Sequence, residues 1–252
     1  MGEDGRADAV RRLATAAIAG QLVWLAFILF GGLWEPGYSE IRDAVSFLGA
    51  RTAANAWIFD TVVAVSGLSL FALAAALWLD RPGGSRVRLG PALIAITGLA
   101  QILDGFPFPA DCRDTLDPGC HARELAGEVS WQHAAHGWTY FLGALALALS
   151  VFAMAWRFRD DPRWRIEVWS WSIGADRLAL LAGGLAVVYF AGLFFIAGDE
   201  PAGHYGVVQR LALVAGLAWV VALALGLLDL YGRRRFLGKV PKTTSQSGEE
   251  TP

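Results

Sequence analysis

Charge and lysine are scarce in this 252-residue chain: Asp, Glu, Lys and Arg make up 17% of it, and only two of its 21 basic residues are lysine. It has no glycine-rich phosphate loop, no His-Glu-x-x-His, no Cys-x-x-Cys and no haem signature, which removes the activities those motifs mark. Cysteine is limited to Cys112 and Cys120. What fills the space instead is apolar. Hydrophobic residues account for 55% of the chain and the mean hydropathy is +0.44, the balance of a polytopic membrane protein.

Six apolar segments carry that excess: Leu13 to Trp34, Trp57 to Leu79, Leu89 to Phe106, His136 to Trp156, Leu178 to Gly198 and Val207 to Leu230. Each is near the roughly 20 residues that a helix needs to cross a bilayer. The expected fold is all-α, with six transmembrane helices in one bundle over residues 13–232. A cytoplasmic segment 1–12 precedes it, and a polar tail 233–252, expected to be disordered, follows.

Charge orients the bundle. Sixteen Lys and Arg fall before span one, between spans two and three, between four and five, and after six, whereas the opposite loops hold only Arg42, Arg51, Arg113 and Arg123. The positive-inside rule then predicts a multi-pass cell-membrane protein with both termini in the cytoplasm. Cys112 and Cys120 share a loop on the outer side, where a disulfide can persist; metal ligation is the competing reading, although a spacing of eight matches none of the tight zinc patterns. The dominance of Arg and Ala suggests a high-GC bacterial source.

Between spans one and two, Ile41, Val45 and Leu48 recur at helical spacing opposite Ser39, Arg42, Asp43 and Ser46. That pattern predicts a short amphipathic helix across the bundle mouth, with Ser39 as its N-cap. Arg157 to Arg177 mixes arginines with Trp164, Trp169 and Trp171 and reads as an interfacial anchor rather than a nucleic-acid site. Ala212 with Gly216, and similar pairs in span five, predict close helix packing.

The polar residues inside the spans gather at the outer end: Asp60, Gln101, Asp104, His133, His136, Gln209 and Arg210. An ionisable group in hydrocarbon costs a few kcal/mol or more unless paired, so this cluster is the candidate site. Ser39, Arg42, Asp43, Ser46, Asp104 and Arg210 are its candidate binding residues. Arg210 needs either an internal carboxylate, Asp104 or Asp43, or the phosphate or carboxylate of a membrane lipid. His133 and His136, three apart, with Asp111 and His204, compose a candidate zinc set, weighed against simple hydrogen-bonding histidines. The inner halves of the spans offer only scattered Thr15, Ser66, Ser69 and Ser150 with Asp229, which disfavours transport.

Tyr38-Ser39-x-x-Arg42-Asp43-x-x-Ser46-x-Leu48-Gly49, then Phe108-Pro109-x-Asp111, the histidine pair, and Gly206-x-x-Gln209-Arg210 together resemble the bacterial and archaeal membrane family catalogued as domain of unknown function 998. The resemblance covers nearly the whole chain and implies a six-helix integral membrane protein without an assigned activity. A more distant similarity, to the alkaline ceramidase and adiponectin-receptor superfamily, implies zinc-dependent lipid hydrolysis. It rests on the inventory of Ser39 or Ser46, Asp111, His133, His136 and His204, and departs from that superfamily in span number and histidine spacing. The functional expectation is a site for a lipid headgroup or a partner, with metal-dependent lipid hydrolysis as the alternative.

Overall fold

A computed structural model describes residues 2–80, 85–159, 161–168, 171–174, 177, 184 and 203–237. Apart from one short hairpin its regular structure is helical. Helix α1 (Glu3–Phe30) runs on into a 3-10 turn (Gly31–Trp34); α2 covers Ala56–Asp80, α3 Ser85–Gly105, α4 Cys120–Leu125, α5 Trp131–Arg159 and α6 Tyr205–Leu237. Strands β1 (Arg165–Val168) and β2 (Trp171–Gly174) pair antiparallel beyond α5. The expected fifth span, Leu178 to Gly198, and the end of the tail lie outside the described residues.

Among the described residues, four helices are long and apolar enough to cross a membrane: Glu3–Trp34, Ala56–Asp80, Trp131–Arg159 and Tyr205–Gly232. The first begins at Glu3, ahead of the apolar run from Leu13. Glu3 and Asp4 occupy its first turn, where the positive end of the helix dipole favours them, and Asp8 pairs with Arg11 and Arg12 at helical spacing. Leu22, Leu68, Leu99, Leu142, Leu211 and Leu225 are all exposed, so the helices carry apolar side chains outward as well as inward.

Neighbours in the bundle follow the order α6, α1, α2, α3, α5. Small residues set their closeness. A Cβ on Gly67 of α2 would lie 2.5 Å from the Gly98 carbonyl oxygen of α3, and one on Gly98 would lie 2.7 Å from the Gly67 oxygen. Such backbone contact replaces the hydrophobic drive that lipid cannot supply between helices. Gly216 instead makes room for a side chain: a Cβ there would lie 2.8 Å from Leu147 Cδ2 of α5. Substituting Gly67→Val is expected to cost about 1–3 kcal/mol through overpacking. Unfolding in mixed detergent micelles measures this, and an unshifted midpoint would contradict the α2–α3 contact.

Two sequence expectations are corrected here. The segment from Tyr38 to Gly49 is not an amphipathic α-helix: it forms a turn and then a 3-10 helix, Val45–Gly49. Its backbone groups are bonded from elsewhere. The Asp43 carboxylate accepts the Ser39 N–H at 2.7 Å, Gln209 Oε1 accepts the Val45 N–H at 2.6 Å, and Arg210 donates to the Glu40 and Asp43 carbonyls. With those partners on α6 and on the Asp43 side chain, the regular backbone ladder is not formed.

The inner halves of the helices are not inert either. At the α2 C-terminus Asp80, whose side chain is fully buried, accepts Arg157 Nη2 at 2.9 Å, Tyr231 Oη at 3.0 Å and Arg163 at 3.3 Å. Arg163 also forks onto Asp161, with Nη2 to Oδ2 at 2.7 Å. Nor is this stretch an interfacial anchor at Trp164, which is buried, stacked 4.3 Å from the Phe158 ring and set against Gly226. Deeper in the bundle Gln21 donates to Ser66 Oγ at 3.1 Å and Ser69 Oγ at 2.8 Å, and Ser66 Oγ donates to Gln101 at 3.0 Å. These bonds satisfy polar atoms where no water is at hand.

Candidate functional site

The N-terminus of α6 docks directly onto the α1–α2 loop. Gly206 permits the approach: a Cβ there would fall 2.5 Å from both the Glu40 and Asp43 carbonyl oxygens. The Gly206 and Val207 N–H groups, orphans of the first helical turn, donate to the Arg42 and Ile41 carbonyls. One turn on, Arg210 is buried and donates to four carbonyls and one phenol. Its Nε bonds Ile28 O at 3.0 Å, Nη1 bonds Glu40 O, Asp43 O and Gly206 O at 2.7–3.1 Å, and Nη2 bonds Tyr38 Oη at 2.6 Å. The Gly206-x-x-Gln209-Arg210 motif thus ties α6 to the loop and to the end of α1.

Neither expected internal carboxylate pairs with Arg210. Asp43 turns its carboxylate to Arg42, whose Nε and Nη2 grip it at 2.7 and 2.9 Å, and to Thr115 of the α3–α5 loop. Burial pushes the Asp43 carboxyl up, but bonds from Arg42, Thr115 and the Ser39 amide outweigh it and hold it below the ordinary range. Burial raises the Tyr38 phenol to about 12 despite the Arg210 charge, so it stays a neutral acceptor for Arg210 and donor to the Ala44 carbonyl. Ser39 and Arg42 therefore belong to this knot, while Ser46 sits half-buried in the 3-10 turn.

The α3–α5 loop is laid over the α1–α2 loop by residues that sequence reasoning passed over. Arg113 pairs with Glu35 and forks onto Asp117, Glu35 accepts the Ala54 N–H, and Thr52 donates to Asp117. The Arg113 hydrogen bonds hold the Asp117 carboxyl down at about 2. Cys112 and Cys120 form a disulfide, which resolves the open choice between staple and metal ligands. Of the contacts of Arg113, Glu35, Asp117 and Thr52, only the i, i+4 spacing of Arg113 and Asp117 gave a hint.

The expected metal set is dispersed among separate partners. Asp111 caps α5: its carboxylate accepts the Ser130 N–H at 2.6 Å and Oγ at 2.8 Å, and Arg51 lies 3.2 Å away. Burial pushes its carboxyl up, but those Ser130 bonds, then Arg51 and His133, bring it below the usual value. His133 Nδ1 accepts the Asp111 N–H at 3.0 Å, so its proton resides on Nε2, which donates to Glu124 at 3.2 Å. His136 Nδ1 faces three acceptors, the Asp104 carboxylate at 3.1 Å and the Asp104 and Phe108 carbonyls, and is therefore protonated. His204 is exposed in the turn before α6. Among the described residues, the clusters that bring three ligand atoms together include neither His136 nor His204.

Asp104 opens onto a narrow cleft of about 80 Å³ bounded by α1, α2, α3, α5 and α6. Asp104, Thr139, Gln101 and Gln21 line it as polar groups, with Trp24, Leu70, Leu147, Leu213, Leu217 and Val220 among its apolar walls. Asp104 is buried and accepts from Thr139 Oγ1 at 3.3 Å and from His136. At the next helix, Asp60 Oδ1 is buried against Gly105 without a hydrogen bond.

Long apolar helices with leucines outward and bonded polar groups inward define the class, a helical membrane protein of several spans. A family model described as Protein of unknown function (DUF998) matches residues 18–226, and the chain belongs to that family. No curated protein and no solved structure matches it.

Proposed function

We propose that this protein is a six-span cell-membrane protein that binds an amphiphile in the cleft between α1, α2, α3, α5 and α6. The apolar chain lies along Leu147, Leu217 and Val220, and a hydrogen-bond-donating headgroup meets Asp104. The observation that carries this reading is the cleft itself: its walls are apolar, and a buried carboxylate lies among its few polar groups. His136 and Thr139 orient that carboxylate and leave it acceptor capacity for a ligand hydroxyl or ammonium. Helix α3 and Leu178 to Gly198 are the remaining two spans. The disulfide supports an outer location for the α3–α5 loop and so cytoplasmic termini, in keeping with the arginine distribution.

Binding is preferred to lipid hydrolysis because His133 and His136 bond separate partners and Asp111 serves as a helix cap. Direct gripping of a headgroup by Arg210 is set aside, since its donors face carbonyls and Tyr38. The test compares lipids retained by the purified wild type and by Ala144→Phe, which fills the cleft, using native mass spectrometry. Retention of a defined hydroxyl- or amine-bearing amphiphile is expected, falling by more than about tenfold in the variant. Equal retention by both proteins, with the variant's helical content intact, would refute the site.

A further inference from the structure

The α3–α5 loop gathers a second set of ligating side chains, independent of what fills the cleft. Gly119, left-handed at φ 77°, starts the short helix α4, which places His121 and Glu124 three residues apart on one face. The Cys112–Cys120 disulfide fastens that helix to the turn carrying Asp114. His121 Nδ1 lies 3.1 Å from Asp114 Oδ1, and ligand atoms of Asp114, His121 and Glu124 all fall within 4.8 Å of one another. His133, its tautomer fixed by the Asp111 amide, donates Nε2–H to Glu124 at 3.2 Å and orients that carboxylate. The Cys120 sulfur near Glu124 is oxidised and has no proton to give.

We propose that Asp114, His121 and Glu124 form a binding site for a divalent transition-metal cation, with water as the remaining ligand. An ordinary ion pair would explain two of the three groups. A second carboxylate, Glu124, is held at the same point by the His133 N–H, and among the described residues neither Asp114 nor Glu124 pairs with an arginine or lysine. A dication neutralises both. Nitrogen and oxygen ligands about 2.0–2.2 Å from zinc in a tetrahedron stand roughly 3.3 Å apart, close to the His121–Asp114 separation. The exposed His121 ring has the freedom to close the remaining distance to Glu124. A carboxylate held by a histidine N–H is also the kind of outer support that ligating groups carry.

The experiment is a Zn²⁺ titration by calorimetry of the chelator-treated, detergent-solubilised full chain. One ion per chain is expected, with His121→Ala and Glu124→Gln each weakening binding by more than about tenfold. His121 is exposed, so its alanine variant tests the ligand without disturbing the fold; His204→Ala is expected to bind as wild type does. Absence of binding by the wild type, or undiminished binding by His121→Ala, would overturn the proposal. So would loss of binding in His204→Ala, which would return the metal to the set of Asp111, His133, His136 and His204.

Discussion

Asp80→Ala is expected to destabilise the protein by about 3–5 kcal/mol, a large fraction of the roughly 5–15 kcal/mol that a folded domain has in total. The side chain is fully buried, and so is Arg157, at 1% exposure; removing the carboxylate takes away the anion 2.9 Å from that guanidinium and leaves the cation in low dielectric. Tyr231 Oη and Arg163 lose an acceptor in the same step, although Arg163 keeps Asp161. Asp80→Asn, which retains an acceptor oxygen, is expected to do less harm. The sharper comparison is the double variant Asp80→Ala/Arg157→Met. Because breaking a buried pair costs more than deleting it, the double variant is expected to be more stable than Asp80→Ala alone. Reversible unfolding in mixed micelles reads both effects. Two single losses that simply add would mean the charges are not coupled.

That network shows where the sequence was mute. Asp80, Arg157, Asp161, Arg163 and Tyr231 come from three separate stretches, and each reads singly as a residue at a membrane interface. Distance along the chain hid their convergence. The apolar helices, by contrast, were legible because lipid imposes a simple rule, a run of about 20 apolar residues, on any chain that crosses it. The disulfide was nearly as legible, since two cysteines in one loop have few other partners. Periodicity misled in the α1–α2 loop. Val45 and Leu48 are buried as expected, but Ile41 is 56% exposed, and the segment's conformation follows from side chains on α6 that no local pattern reveals.

The candidate site divides along the same line. Asp104 and Gln101 were legible as intramembrane polar residues, and both line the cleft. Gln21, Thr139 and the cleft walls were not, because a cavity is a property of helix order rather than of any one helix. His121 drew no notice, as an isolated histidine in a polar loop has no signature until the disulfide and α4 bring Asp114 and Glu124 to it.

Arg210→Ala is expected to be as damaging as the loss of Asp80, for a different reason. Four backbone carbonyls and the Tyr38 hydroxyl all point at one guanidinium, and a buried polar group left unbonded costs about 1–3 kcal/mol. Losing two of those bonds outright would already cost roughly 2–6 kcal/mol. Lysine is not a conservative replacement. Its single ammonium can serve the Glu40, Asp43 and Gly206 carbonyls grouped around Nη1, but it cannot also reach Ile28 and Tyr38, which the planar fork bonds through Nε and Nη2. Arg210→Lys is therefore expected to fall between wild type and alanine, with faster hydrogen exchange at residues 38–49 and at the end of α1. A structural clamp and a headgroup ligand differ in one further respect. If Arg210 held a lipid phosphate, the stability lost on substitution would grow with the anionic-lipid content of the nanodisc, whereas a clamp on carbonyls predicts the same loss in anionic and zwitterionic discs. A loss confined to anionic discs would restore the headgroup reading and displace the clamp.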